Sequence, residues 1–351
     1  MIAALVASLT LLAGALLTHR LSRPGTRLYV LDVPNERSLH ERPTPRTGGL
    51  AIVAAALGGI VTLLALMGQP AGVPWAVGAG ALLVAGISFW DDHADLSPLT
   101  RLAVQVVAAL LLLAGGLGLP EDALGLPLPF GIATAAVSVL LVVWLTNLYN
   151  FMDGMDGFAG GMGAIGFTVL GLMAYRGSHT VFGGVCLVVA AANLGFLVFN
   201  FPPARIFMGD VGSATLGFLV GSMTLWGVRD GVFPLWAPVL AFSPFVADAT
   251  ATLLRRLLKG ERFWEPHRTH YYQRLVQLGW GHRRTVAWEY ALMIGAGASA
   301  LVLTSATYAP AVPWGLAAWI AVYVLLAQMV RWLEGPAPLG ADGRAAGDRA
   351  R

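Results

Sequence analysis

The sequence predicts an all-α protein that crosses a membrane about eleven times. Three observations carry that expectation. Hydrophobic residues make up 57% of the 351-residue chain and charged residues only 12%, against about 25% charged in soluble domains. Mean hydropathy is +0.70. Several apolar runs also reach the ~20 residues that a helix needs to span a bilayer.

The expected spans are, in order, about 2–18, 48–67, 74–90, 101–118, 129–149, 158–175, 180–199, 213–228, 235–254, 287–307 and 313–332, a count of ten to eleven. The first lacks a basic segment before it and is followed by His19, Arg20, Arg23 and Arg27, so it reads as a retained span rather than a cleaved signal peptide. Lys and Arg fix the orientation. Twenty fall in alternate connections, those around 19–47, 91–101, 150–157, 200–212 and 255–286 and the C-terminal segment, and only Arg176 and Arg229 fall on the opposite side. The N-terminus is therefore expected outside and the C-terminus in the cytoplasm. This accounts for the basic pI near 9.2 without a nucleic-acid partner. Residues 1–333 read as a single transmembrane domain, and 334–351, rich in Gly, Ala, Pro and Arg, as a disordered tail. The single cysteine, Cys186, excludes an intrachain disulfide and a CxxC metal site.

The chemistry-bearing stretches all fall on the expected cytoplasmic side. The loop from Asp32 to Gly49 holds His40 and Arg46. Asp91-Asp92 ends the third span; adjacent carboxylates repel and raise one pKa, which suits a proton acceptor or a metal site, although a solvated helix end would carry them too. Asn147, Asn150, Asp153 and Asp156 recur every third residue, and on a helix each such pair shares a face. That ladder of oxygens suits Mg²⁺ and phosphate better than it suits a helix cap. Gly154 and Gly157 would let a ligand approach the backbone. Phe207-Met208-Gly209-Asp210-Val211-Gly212-Ser213 reads as turn and N-cap chemistry or as a phosphate site at a helix start. His267, Arg268, His270 and Arg274 read as a lipid-headgroup loop or as a diphosphate clamp. Asp248 reads as a structural partner of Arg255 or Arg256. A transporter marks both faces or the midplane, and this chain marks one face.

Taken together, the Asp-Val-Pro-Asn…His…Pro-x-Pro-x-x-Gly-Gly loop, Asp91-Asp92, Asn-x-x-Asn-x-x-Asp-Gly-x-Asp-Gly and Asn-Phe-Pro…Phe-Met-Gly-Asp-x-Gly-Ser resemble the polyprenyl-phosphate N-acetylhexosamine-1-phosphate transferase superfamily, from about Asp32 to Trp280. The resemblance implies ten or eleven helices around a cytoplasmic cleft in a bacterial inner membrane. It implies Mg²⁺- or Mn²⁺-dependent transfer of a sugar-1-phosphate from a UDP-sugar to undecaprenyl phosphate, releasing UMP, as the initiating step of cell-envelope polysaccharide or O-antigen synthesis. By position, Asp210 and Asn150 would hold the metal. Asp91, Asp92, His270 and Arg268 would be catalytic. Asn147, Asp153, Asp156, His267, Arg274 and Arg46 would bind substrate, Asp156 nearest the uridine. The bilayer is the expected surroundings and a homodimer the one protein assembly in view. The last motif departs from the common His-x-His-His. Aligned backwards from Leu278-Gly279-Trp280 it reads His270-Tyr271-Tyr272-Gln273, and aligned from its start His267-Arg268-Thr269-His270, with His270 favoured for the family role. Its form is closer to O-antigen-type enzymes, so the sugar stays open. The rival readings are a proton- or cation-coupled transporter and a CDP-alcohol phosphotransferase. The second needs Asp-Gly-x-x-Ala-Arg, and Asp156-Gly157-Phe158-Ala159-Gly160 lacks the arginine.

Overall fold

A computed structural model describes all residues except 27, 29, 35–38, 41, 69–71, 95, 124–130, 262–266 and 336–351, and the side chains of 72–74 and 93. Most of the C-terminal tail expected to be disordered lies outside the described residues, as do parts of the 32–49 and 255–286 loops.

The chain is a helical membrane protein with many crossings. Helices α1 (Ile2–Leu21), α2 (Gly48–Leu66), α3 (Gly72–Ala94), α4 (Pro98–Ala114), α5 (Gly131–Phe151), α6 (Phe158–Arg176), α7 (Thr180–Asn200) and α8 (Gly209–Arg229) follow the apolar runs. Among the described residues, eight helical stretches are long and apolar enough to cross a membrane. The remaining three expected spans fall on α3, on the 17-residue α4 and on a broken pair, α9 (Trp236–Ala241) and α10 (Ser243–Leu258). The break falls at Phe242 (φ −99°, ψ 11°), two residues before Pro244, which has no N–H to continue the ladder. A short α11 (Tyr271–Leu275) and a π turn lead into α12 (Gly281–Leu303), and α13 (Val312–Glu334) closes the chain. The eighth and tenth spans thus begin earlier than expected, at Gly209 and Gly281, and both new first turns carry site residues.

Burial follows from residue size. On α1 the apolar side chains Leu5, Leu9, Leu12 and Leu16 face outward, as lipid requires, while Val6, Thr10, Gly14 and Thr18 pack inward on α2 and α7. The central helix is α8, whose spanning window is entirely buried between α3, α5 and α2. Its Gly212, Gly217 and Gly221 bring neighbouring backbones close, as small residues do between membrane helices. Its hydroxyls bond back to the helix: Thr215 Oγ1 donates to the Val211 carbonyl at 2.6 Å and Ser222 Oγ to that of Phe218 at 2.7 Å.

One close approach positions the site. The Gly48 and Gly49 N–H groups donate to the Phe207 and Met208 carbonyls at 2.9 and 2.8 Å, and Phe207 N–H donates to the Pro45 carbonyl at 2.7 Å. A two-stranded antiparallel ladder, β1 (Leu31–Asp32) on β2 (Thr44–Pro45), folds the first loop onto the same spot. A Cβ on Gly49 would overlap the Gly212 backbone and lie 2.8 Å from the Met208 carbonyl oxygen. These are backbone atoms that cannot rotate away. Gly49→Ala is therefore expected to cost about 1–3 kcal/mol or more, read as a lower melting temperature or loss of the monodisperse peak in detergent. An unchanged melting temperature would contradict this packing.

Candidate active site

The apolar bundle ends in an acidic cavity of about 280 Å³. Its wall is assembled from six parts of the chain: the first loop (Asp32, His40, Arg46), the end of α3 (Asp92), the α5–α6 loop (Asp153 to Asp156), the α7–α8 connection (Asn200, Phe207, Met208), the α8 start (Gly209, Asp210), and α11 with the start of α12 (Gln273, His282).

Asp91 and Asp92 lie in the last turn of α3, where the helix dipole disfavours negative charge, and each has an arginine. Asp91 Oδ2 accepts from Arg101 Nη1 at 2.9 Å, and its Oδ1 accepts the Leu96 N–H at 2.8 Å across the α3–α4 turn. Arg101 is aligned by α4, whose start is set by Ser97 as N-cap and Pro98 behind it. The same Nη1 lies 3.9 Å from Asp210 Oδ2, so Arg101 bridges Asp91 and Asp210. For Asp92 the partner is Arg46, which donates through Nη2 to its backbone carbonyl at 2.8 Å and lies 3.6 Å from its carboxylate. The Arg46 Nε is buried without a partner among the described residues, leaving a donor for a ligand.

The expected ladder divides. Asn147 exchanges hydrogen bonds with Gln105 of α4, donating at 2.6 Å and accepting at 3.3 Å. It is bound up inside the bundle and does not line the cavity. Asn150 turns instead toward α8, where its Oδ1 accepts from Ser213 Oγ at 2.5 Å. The helix ends at Phe151, so Asp153 and Asp156 project from a loop. Asp156 is buried; its Oδ2 accepts the Ala204 N–H at 2.9 Å and its Oδ1 meets His282 Nδ1 at 3.1 Å. Asn200 Oδ1 accepts from Gly157 N–H at 2.9 Å, and Tyr290 Oη donates to the Gly157 carbonyl at 2.6 Å, which fixes the loop from both sides.

Asp153 has no cation within ion-pair distance among the described residues. Burial, followed by the nearby charges of Asp210 and Asp156, pushes its carboxyl up to about 8. An unfolded aspartate ionises near ~3.9, so between that value and about pH 8 the folded state holds the extra proton. Stability in the absence of a divalent cation must then decline as pH rises through this window. Thermal unfolding with chelator at pH 6 and pH 9 is expected to show that decline, and Asp153→Asn to flatten it. An equal decline in the variant would contradict the assignment.

The same crowding tests the fit to a divalent cation. Asp153 and Asp210 are carboxylates with too little positive charge around them, and Asn150 Oδ1 keeps a second lone pair. No three His, Cys, Asp or Glu side chains among the described residues form a ready-made cage. Mg²⁺ does not require one, because it binds through one or two carboxylates with water and substrate phosphates completing its shell. The residues fit.

The last motif is placed differently from the expectation. His270 is 2% exposed and its Nδ1 lies 3.2 Å from Asp248 Oδ1. Asp248 also accepts the Tyr271 and Tyr272 N–H groups at 3.0 and 3.1 Å and the Thr252 hydroxyl at 3.0 Å. Asp248 therefore anchors the start of α11, instead of pairing with Arg255 or Arg256, and His270 caps that helix away from the cavity wall. Arg274 forks onto Glu334 at the end of α13, with Nε–Oε1 at 2.6 Å, and lies over the Tyr271 ring. Arg274 braces α11 and does not line the cavity, although its Nη1 meets no partner among the described residues. His267 is pushed down to about 4 by burial and by its neighbours His270 and Arg256, so it is uncharged at neutral pH. Arg268 is exposed and its side chain does not line the cavity; its carbonyl accepts from Gln277. From this stretch Gln273 reaches the cavity, along with His282, which the motif reading did not single out. Arg101 was also passed over; its position ten residues beyond Asp91, in the next helix, was the available signal.

Residues 74–228 match the family model described as glycosyl transferase family 4. That stretch carries Asp91, Asp92, Arg101, Asn150, Asp153, Asp156 and Asp210. The chain is 30% identical to the probable undecaprenyl-phosphate N-acetylglucosaminyl 1-phosphate transferase of Bacillus subtilis (strain 168), over 85% of this chain and 84% of that one. It is 31% identical to the decaprenyl-phosphate N-acetylglucosaminephosphotransferase of Mycobacterium tuberculosis (strain CDC 1551 / Oshkosh), over 82% and 81%. An undecaprenyl-phosphate alpha-N-acetylglucosaminyl 1-phosphate transferase of Salmonella typhi is 28% identical over 78% and 77%. Similarity that runs through both membrane helices and cavity loops, over more than four-fifths of two of these relatives, decides the matter: the chain belongs to glycosyl transferase family 4, in the polyprenyl-phosphate N-acetylhexosamine-1-phosphate transferase superfamily.

Proposed function

We propose that this protein transfers N-acetylhexosamine-1-phosphate from a UDP-sugar, UDP-N-acetylglucosamine or a related UDP-N-acetyl-6-deoxyhexose, to undecaprenyl phosphate. A phosphate oxygen of the lipid attacks the sugar-bearing phosphorus, the bond to the nucleotide phosphate breaks, and UMP leaves. The carrying observation is an acidic cavity, too negative for its own cations, at the end of an apolar bundle. Family membership supports the same reading, and the relatives' names supply the acceptor and the sugar.

Attacking and leaving groups are both anionic, so the protein's work is alignment and charge neutralisation. Arg46 offers its unpaired Nε to an anionic oxygen, and Asp92 holds its orientation. Arg101 keeps Asp91 and Asp210 in register. Asp91 positions the lipid phosphate, which is already largely ionised at neutral pH. Asp210 and Asn150 would hold Mg²⁺ or Mn²⁺, with Asp153 close by; when bound, the metal supplies charge neutralisation along the diphosphate. His270 and Arg274 act in this reading as supports of α11, which presents Gln273.

The Lys and Arg distribution supports eleven crossings within a single domain, with the N-terminus outside and the cavity facing the cytoplasm. The setting is a bacterial inner membrane and the product starts an envelope polysaccharide. A coupled transporter is not favoured, because the aspartates that share a cavity, Asp32, Asp92, Asp153, Asp156 and Asp210, gather at one end of the bundle. Purified protein in detergent, given undecaprenyl phosphate, Mg²⁺ and a panel of UDP-sugars, is expected to form UMP only when lipid and metal are both present. No UMP from any UDP-N-acetylhexosamine would overturn the proposal.

A further inference from the structure

Within the proposed function, we infer that His282 is a nucleotide contact: its Nε2 accepts a hydrogen bond from an uncharged N–H or O–H of the uridine moiety, and Asp156 is the residue that positions it. The inference starts from how the chain delivers this ring. Two glycines in the left-handed region, Gly279 (φ +88°) and Gly281 (φ +67°), bracket Trp280 and turn the π segment into α12. Side-chain-bearing residues rarely adopt that conformation. His282 is the second residue of α12, and the turn brings it into the cavity wall beside Asp156.

The Asp156 carboxylate only accepts hydrogen bonds. One oxygen takes the Ala204 N–H at 2.9 Å and the other faces His282 Nδ1 at 3.1 Å. Nδ1 therefore carries a proton, and in the neutral tautomer that this contact selects Nε2 is the lone-pair acceptor. Nε2 is buried and meets no partner among the described residues. Buried polar atoms in folded proteins are almost always paired, so an unpaired one at a cavity wall marks where a ligand completes the bond. The loop beneath is fixed by Asn200 and Tyr290 on Gly157, so the ring is held rather than free to search.

The charge around it selects the ligand group. Arg46 is the one Lys or Arg side chain among the described lining residues, and it comes from the first loop and pairs with Asp92 of α3. The group that faces His282 is the Asp156 carboxylate, and Asp153 and Gln273 line the same cavity. A phosphate would meet repulsion there, whereas the uracil imide N–H or a ribose hydroxyl would meet an acceptor.

The test uses the intact protein in detergent with undecaprenyl phosphate and the UDP-sugar that supports turnover. His282→Ala is expected to raise KM for the UDP-sugar about tenfold, a larger change than its effect on kcat, and to leave KM for the lipid unaltered. Inhibition by UMP is then compared with that by 3-methyluridine 5′-monophosphate, which lacks the imide N–H, and 2′-deoxyuridine 5′-monophosphate, which lacks a ribose hydroxyl. In the wild type one analogue is expected to bind about tenfold more weakly than UMP, and in His282→Ala the same analogue is expected to match UMP. His282→Gln, which keeps an acceptor and bulk, covers the case in which the alanine variant fails to fold, and it is expected to retain part of the discrimination. An unchanged KM, a loss confined to kcat, or variants that discriminate the analogues as the wild type does would overturn the inference. Absence of wild-type turnover with every UDP-sugar would instead sink the proposed function.

Discussion

Asp210→Asn is expected to lower transfer by about a thousandfold or more while the protein still purifies as a folded species in detergent. The two halves of that result come from the same geometry. Asp210 opens α8, where the helix dipole favours a carboxylate, and Arg101 stands 3.9 Å from it. Asp210 is hydrogen-bonded to Asn150, whose Oδ1 accepts from Ser213, and an asparagine at 210 keeps an oxygen for that bond, so the fold survives the change. Replacing it with the isosteric amide removes a negative charge from a place where Asp153 already suffers like-charge repulsion. The Asp153 carboxyl should therefore become more acidic in the variant, and the decline of stability with rising pH should end at a lower pH and be smaller in total. Turnover collapses because the charge needed to hold a divalent cation with the diphosphate is gone. Retention of more than a tenth of wild-type activity would remove Asp210 from the metal-holding role.

The second large effect is expected at Arg101. Arg101→Met leaves Asp91 and Asp210 facing each other without the guanidinium that lies between them, and activity should fall on the order of a hundredfold. The fold should survive, since Asp91 Oδ1 still accepts from Leu96 and Ser97 still caps α4. Arg101→Lys keeps the charge but not the fork, so it should recover only part of the rate. Steady-state UMP release with both substrates varied checks this. Equal activity in the wild type and the methionine variant would show that the bridge has no part in the reaction.

How far the chain could be read in advance depended on whether the deciding partner was local. The apolar runs of α1 to α8 are bounded by Arg, Gly and Pro, so their existence was legible. The interruption at Phe242 was not, because the Pro244 signal lies inside an otherwise apolar stretch. Asp92, Asp153, Asp156, Asp210 and Arg46, which the sequence singled out, line one cavity; carboxylates beside apolar runs are costly unless they face such a space. The regular spacing of Asn147 and Asn150 misled: steps of three advance about 300° around a helix, and each amide met a different neighbour, Gln105 for one and Ser213 for the other. The His and Arg cluster misled for a tertiary reason. His270 is taken by Asp248, 22 residues upstream, and Arg274 by Glu334, 60 residues downstream, so residue type alone could not tell a clamp from a brace. His282 was overlooked because its meaning arises only when Asp156 comes to lie beside it.

The central claim is that the bond broken lies between the two phosphates of the sugar nucleotide. Its most direct test is a single-turnover reaction with UDP-N-acetylglucosamine labelled in the sugar-bearing phosphorus, in detergent with undecaprenyl phosphate and Mg²⁺. The prediction is transfer of the labelled phosphorus, with its sugar, into the lipid fraction and release of an equal amount of UMP. Release of UDP, with sugar but no label on the lipid, would contradict it.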